Sequence, residues 1–188
     1  MKRIFIALIA VLQLVLISCE VEKIQPNEIT DTITPPVVIE PEVVYTPPPC
    51  ESTLDSNKYR FNNAVYYANV ERDSSSYAMD MPNCNNATYL IKGTNWSNNN
   101  TIEFYFIGKP KTGIYTTVAT NSLPEGVKNN VCLVISPSYG QTYYATVGAS
   151  VYVKNNGTSI KVSFCNTPFK YYADGFTVNN NFGELVSY

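Results

Sequence analysis

The chain has 188 residues, 45% of them hydrophobic, with thirteen lysines and arginines against fifteen acids, a net charge of −2 and no histidine at all. Neither a serine–histidine nor a cysteine–histidine couple can be assembled from such a sequence, nor a histidine zinc site, which removes most hydrolase designs. Without a basic stripe or cluster, nothing draws the chain to nucleic acid.

Lys2 and Arg3 precede an apolar run from Ile4 to Ile17 that only Gln13 interrupts. The run is shorter than the roughly twenty residues of a spanning helix. Residues 1–18 therefore read as a secretory signal peptide. At its end, Leu16-Ile17-Ser18-Cys19 resembles the lipobox of bacterial lipoproteins. That resemblance implies cleavage before Cys19, a diacylglyceryl group on its sulfur and acylation of its new amino terminus, so that the lipid is the chain's tie to a membrane. Three acyl chains hold firmly where one, at about 0.8 kcal/mol per buried CH₂, binds only marginally.

After the lipidated cysteine comes a stalk, residues 19–49. From Glu20 to Pro49 there are seven prolines, six acids, one lysine and no glycine. Such a composition cannot build a core. It favours extended polyproline II geometry, which at about 3.1 Å per residue spans on the order of 90 Å at full extension. The β-branched groups Val37-Val38-Ile39 and Val43-Val44 offer the alternative of a strand paired onto the domain. Asp31-Thr32-Ile33 resembles the O-glycosylation signal of the Bacteroidota, with Thr32 as acceptor. Glu20 and Glu22 resemble the acidic residues that follow the lipidated cysteine in surface lipoproteins of that group, although Val21 and Lys23 interrupt them. The expected address is the outer membrane, facing either the periplasm or the cell surface.

Residues 50–188 form one domain's length of chain, with ten basic and nine acidic residues. Strand candidates follow one another: Tyr59 to Phe61, Ala64 to Asn69, Thr88 to Lys92, the alternating Ile102 to Phe106, Ile114 to Val118, Val131 to Ile135, Val147 to Val153, Ile160 to Phe164 and Phe176 to Val178. Asn156-Gly157 sits between two of them and supplies the positive φ of a tight hairpin. No long stretch keeps a helical stripe. An all-β domain is expected, an antiparallel sandwich or partly closed barrel of about eight to ten strands.

Cys50, Cys84, Cys132 and Cys165 are an even set in an exported chain, so two disulfides are expected, in any of three pairings. Their wide spacing gives no metal motif, and no cofactor is expected. Asp80, Glu103, Asp174 and Glu184 are the acids near strand edges, and a facing pair of them would make a carboxylate-dependent glycoside hydrolase. The ordinary reading of such acids is a solvated surface. The only tryptophan, Trp96, stands in the polar run Lys92-Gly93-Thr94-Asn95-Trp96-Ser97-Asn98-Asn99-Asn100. In each of the doublets Tyr66-Tyr67, Tyr143-Tyr144 and Tyr171-Tyr172 one ring must face away from a core. Trp96, Tyr66, Tyr143 and Tyr171 are the candidate ligand contacts, against the alternative that tyrosine is simply a good sheet residue.

Gly113-Ile114-Tyr115, the Tyr144 to Val153 strand, the Asn-Gly hairpin and Val162-Ser163-Phe164-Cys165-Asn166 together resemble small outer-membrane lipoproteins of the Bacteroidota that have no established activity. The resemblance implies a β-rich envelope domain and assigns no catalytic residue. The expected function is a non-enzymatic binding module for a glycan or an envelope protein, with the glycoside hydrolase as alternative.

Overall fold

The computed structural model describes residues 44–49, 56–74, 84–118, 123–138 and 140–188. Cys19, Thr32, Cys50 and Asp80 lie outside the described residues. Residues 44–48 form no strand. Tyr45 nevertheless reaches the domain, with Lys154 Nζ 5.5 Å from the centre of its ring.

Eleven strands and no helix make up the described chain: β1 (Lys58–Phe61), β2 (Ala64–Tyr67), β3 (Asn69–Asp73), β4 (Tyr89–Asn95), β5 (Asn100–Phe106), β6 (Gly113–Thr117), β7 (Asn130–Ser138), β8 (Gln141–Ala145), β9 (Ser150–Asn155), β10 (Ile160–Tyr171) and β11 (Thr177–Ser187). In pairing order they run β2-β1-β11-β10-β9-β6-β7-β5-β4-β3, while β8 links β7 to β10. Every ladder is antiparallel except β6 with β7, which is parallel. The end strands β2 and β3 are separated in sequence by Ala68 alone, and no ladder joins them. The sheet is thus partly ring-like without being a barrel.

Alternation decides what faces inward. Ile102, Phe104 and Phe106 of β5, Val151 and Val153 of β9, and Ile160, Val162 and Phe164 of β10 share one buried cluster with Tyr59, Phe61, Ile91, Leu133 and Leu185. The other face of β4, β5 and β7 is covered as well. Leu90, Tyr105, Cys132, Val134 and Tyr144 pack there against Cys84, Ala87 and Leu123. Two-sided burial explains why Val131 to Ile135 is an unbroken apolar run rather than an alternating one.

Asparagines set many of the turns. Asn62 and Asn63, with φ of 47° and 64°, form the two-residue loop between β1 and β2, where a type I′ turn needs positive φ at both positions. Gly157, at φ 92°, serves the expected hairpin between β9 and β10. β10 breaks its regular register between Phe164 and Phe169, at Asn166 and Pro168, and so changes partner from β9 to β8.

Candidate functional site

Trp96 opens the four-residue turn between β4 and β5, after the last cross-strand pair, Asn95 with Asn100. The Asn95 side chain organises that turn: its Oδ1 accepts from Ser97 N at 3.0 Å and from Ser97 Oγ at 2.6 Å. With its polar neighbours so engaged the indole stands out, 70% exposed. Tyr67, the last residue of β2, is 64% exposed.

These two rings line one concavity of about 360 Å³, together with Ser56, Asn57, Ala68, Asn69, Asn95 and Ser97. No charged residue lines it. Its floor is held by Asn57, whose N donates to Glu184 O at 2.8 Å, whose O accepts from Ala68 N at 2.9 Å, and whose Oδ1 accepts from Val186 N at 2.8 Å. Lys58 Nζ lies 4.6 Å from the centre of the Tyr67 ring, a cation–π contact beside the concavity. Two exposed rings flanked by amides and hydroxyls can stack on a sugar and bond its hydroxyl groups. None of its lining residues is a carboxylate, a lysine or an arginine.

The structure places the other candidate aromatics elsewhere, and none of them lines the Trp96 concavity. Tyr66 stacks on the buried Tyr59, with ring centres 5.2 Å apart and planes at 21°. Tyr143 packs edge-on to Phe61 at 4.9 Å and lies 5.1 Å from Tyr171. In two doublets the exposed member is the neighbour, Tyr67 or Tyr172. In Tyr143-Tyr144, against expectation, neither ring is exposed, because Tyr143 packs on the main cluster and Tyr144 lies in the second. In the other two doublets which ring faces out depends on register, and a one-residue shift reverses it.

Each described acid near a strand edge is engaged locally. Glu103 pairs with Lys92 at 3.2 Å and accepts a hydrogen bond from Tyr105 Oη at 2.5 Å, so it is no freely solvated surface charge. Glu184 pairs with Lys161 at 2.5 Å and accepts from Ser56 Oγ at 3.0 Å. Asp174 accepts from Phe176 N at 2.8 Å in a turn. These partners of the three are all different, and of the three only Asp174 lines any of the concavities at Tyr144, Trp96 and Arg72. Burial pushes the hydroxyls of Tyr59, Tyr105 and Tyr144 upward in pKa, the last to about 12, with Tyr172 and Glu103 adding to the shift at Tyr144. Such hydroxyls stay protonated at neutral pH and make poor bases.

Cys84 and Cys132 are joined in a disulfide, with Cα atoms 6.5 Å apart. Cys165 is disulfide-bonded as well, to a partner outside the described residues. Among the described residues no three His, Cys, Asp or Glu side chains gather around a common point.

No protein-family model, no curated protein and no solved structure matches the chain.

Proposed function

We propose that this chain is a lipid-anchored lipoprotein of the outer membrane whose β-domain is a non-enzymatic binding module for a neutral glycan. The observation that carries the glycan reading is the pair of exposed rings, Trp96 and Tyr67, on one uncharged concavity edged with asparagine and serine. A sugar offers an apolar C–H face to such rings and hydroxyl groups to such amides. The anchor reading rests on the lipobox at Cys19 and on the proline-rich acidic segment behind it. A protein partner is less well matched: the concavity is small and polar, whereas interface cores gather larger apolar areas. The hydrolase reading is less well matched: Glu103 and Glu184 are ion-paired with different lysines, and Asp174 lines a different concavity from the Trp96 one.

The test is an array of neutral and charged oligosaccharides probed with the full chain and with Trp96→Ala. Binding restricted to neutral glycans and lost in the variant supports the reading. Binding that survives in Trp96→Ala, or none to any neutral glycan, overturns it.

A further inference from the structure

A larger concavity, of about 660 Å³, is lined by Tyr144, Thr146, Lys170, Tyr172, Asp174 and other residues, and shares no residue with the Trp96 concavity. It is built from β8, the end of β10 and the turn that leads into β11. Lys170 stands opposite Tyr144 in the β8–β10 ladder. The Tyr144 and Tyr172 rings meet edge to face at 5.9 Å, and Tyr172 is 68% exposed.

The turn is held at several points. Tyr172 N donates to Thr142 O at 3.1 Å, Gly175 N to Tyr171 O at 3.0 Å and Phe176 N to Asp174 Oδ1 at 2.8 Å. Gly175, at φ 77°, leaves room for the Lys170 stem, whose Cε would stand 2.9 Å from a Cβ there. Asp174 is thus held by the turn, and the Lys170 stem runs over Gly175, with both side chains exposed. Yet Lys170 and Asp174 do not pair with each other, and neither has another ion-pair partner among the described residues. Tyr144 adds a buried hydroxyl with no hydrogen-bond partner.

We propose that this concavity binds a small zwitterion, an α-amino acid or a dipeptide, with its carboxylate on Lys170, its ammonium on Asp174 and an apolar or aromatic side chain against Tyr172. Opposite charges that share a concavity without pairing suit a ligand bearing both signs. An ion of one sign would meet a like charge, and a neutral sugar would engage the two only through hydrogen bonds, leaving both charges unneutralised. The volume is of the order that small-molecule sites occupy, about 300–1,000 Å³.

Calorimetric titration of the full chain tests this with L-phenylalanine and Ala-Phe, each beside its C-terminal amide and its N-acetyl derivative. At least one zwitterion is expected to bind saturably and about tenfold tighter than either of its capped forms, a difference of about 1.4 kcal/mol. Lys170→Met should erase the preference over the amide. Asp174→Asn, which keeps an oxygen for Phe176 N, should erase the preference over the N-acetyl form. Trp96→Ala should bind the zwitterion as the unaltered chain does, which separates this site from the glycan reading. Whether the amino acid or the dipeptide binds tighter identifies the ligand's size. Equal affinities for free and capped forms, no saturation by either zwitterion at about 10 mM, or preferences that survive both charge substitutions would overturn the proposal.

Discussion

Cys84 is cross-linked to Cys132, the cysteine of β7, across a sequence separation of 48. The bond fastens a covering segment onto the outer face of β4, β5 and β7. That segment and Leu123 are also tied to each other, by Leu123 N to Asn85 O at 3.1 Å and Asn86 Nδ2 to Leu123 O at 3.2 Å. Closing a loop of this length restrains the unfolded chain by about 4 kcal/mol in the loop-entropy account. The double variant Cys84→Ala, Cys132→Ala should therefore lose about 2–5 kcal/mol in urea denaturation at constant pH. Alkylation of the unfolded but unreduced protein should leave both thiols of the unaltered chain unlabelled. Labelled Cys84 or Cys132 in protein recovered from the envelope would refute the cross-link.

Replacement of Cys19 tests the anchor. Cys19→Ala removes the one sulfur that the lipobox presents, so the variant should leave the membrane fraction and no longer incorporate labelled palmitate. Retention of both properties would show that lipid at Cys19 does not hold the protein.

Much of the fold is legible in the sequence where alternation is plain, as in β5, β9 and the first half of β10, and where Asn-Gly marks a hairpin. It is illegible in β11, whose inward positions are Asn181, Gly183, Leu185 and Ser187, all buried yet mostly not apolar. Each has a local reason. Asn181 Nδ2 donates to Thr167 O at 2.9 Å and to Val178 O at 2.8 Å, while its Oδ1 accepts from Asn62 N at 3.1 Å. Gly183 passes so close to Tyr59 and Phe164 that a Cβ would meet their side chains at 2.6 and 2.8 Å. The second half of β10 is hidden in the same way by Asn166 and Pro168, residues that ordinarily end a strand and here mark its bend. Of the site, the exposure of Trp96 is readable from its polar neighbours. Its companion Tyr67 is not, because the two meet only through the pairing of strands distant in sequence.

Alkaline pH should weaken the fold before it ionises every tyrosine. Tyr59, Tyr105 and Tyr144 are held above the ordinary tyrosine value near 10 by burial, and Tyr105 in addition by Glu103, to which its hydroxyl donates. A group whose folded pKa is raised contributes stability that is fully present below its unfolded pKa and lost as pH climbs through the folded one. For Tyr144 that window runs from about 10 to about 12. Urea midpoints should accordingly hold steady up to about pH 10 and fall above it. Tyr144→Phe removes a buried hydroxyl that lacks a partner, so it should cost nothing at pH 7, or stabilise by up to about 1 kcal/mol, and should soften the alkaline loss. A midpoint independent of pH from 9 to 12 would contradict the burial of these hydroxyls.

Trp96 gives the sharpest reading of the glycan proposal because it is the chain's sole tryptophan, so all indole fluorescence reports on one position. At 70% exposure it should be quenched freely by acrylamide in the unliganded protein. A neutral oligosaccharide stacked on it and on Tyr67 should restore protection. Trp96→Ala should abolish that binding while changing stability by no more than about 0.5 kcal/mol, the ordinary range for surface substitutions. A buried indole would behave differently, at a cost of about 3–5 kcal/mol for the same truncation. Tyr67→Ala should weaken binding without abolishing it, since the indole and the Asn95 turn stay in place. Quenching that no neutral glycan relieves, together with unchanged glycan affinity in both variants, would leave the two rings as bare surface and end the case for a sugar platform.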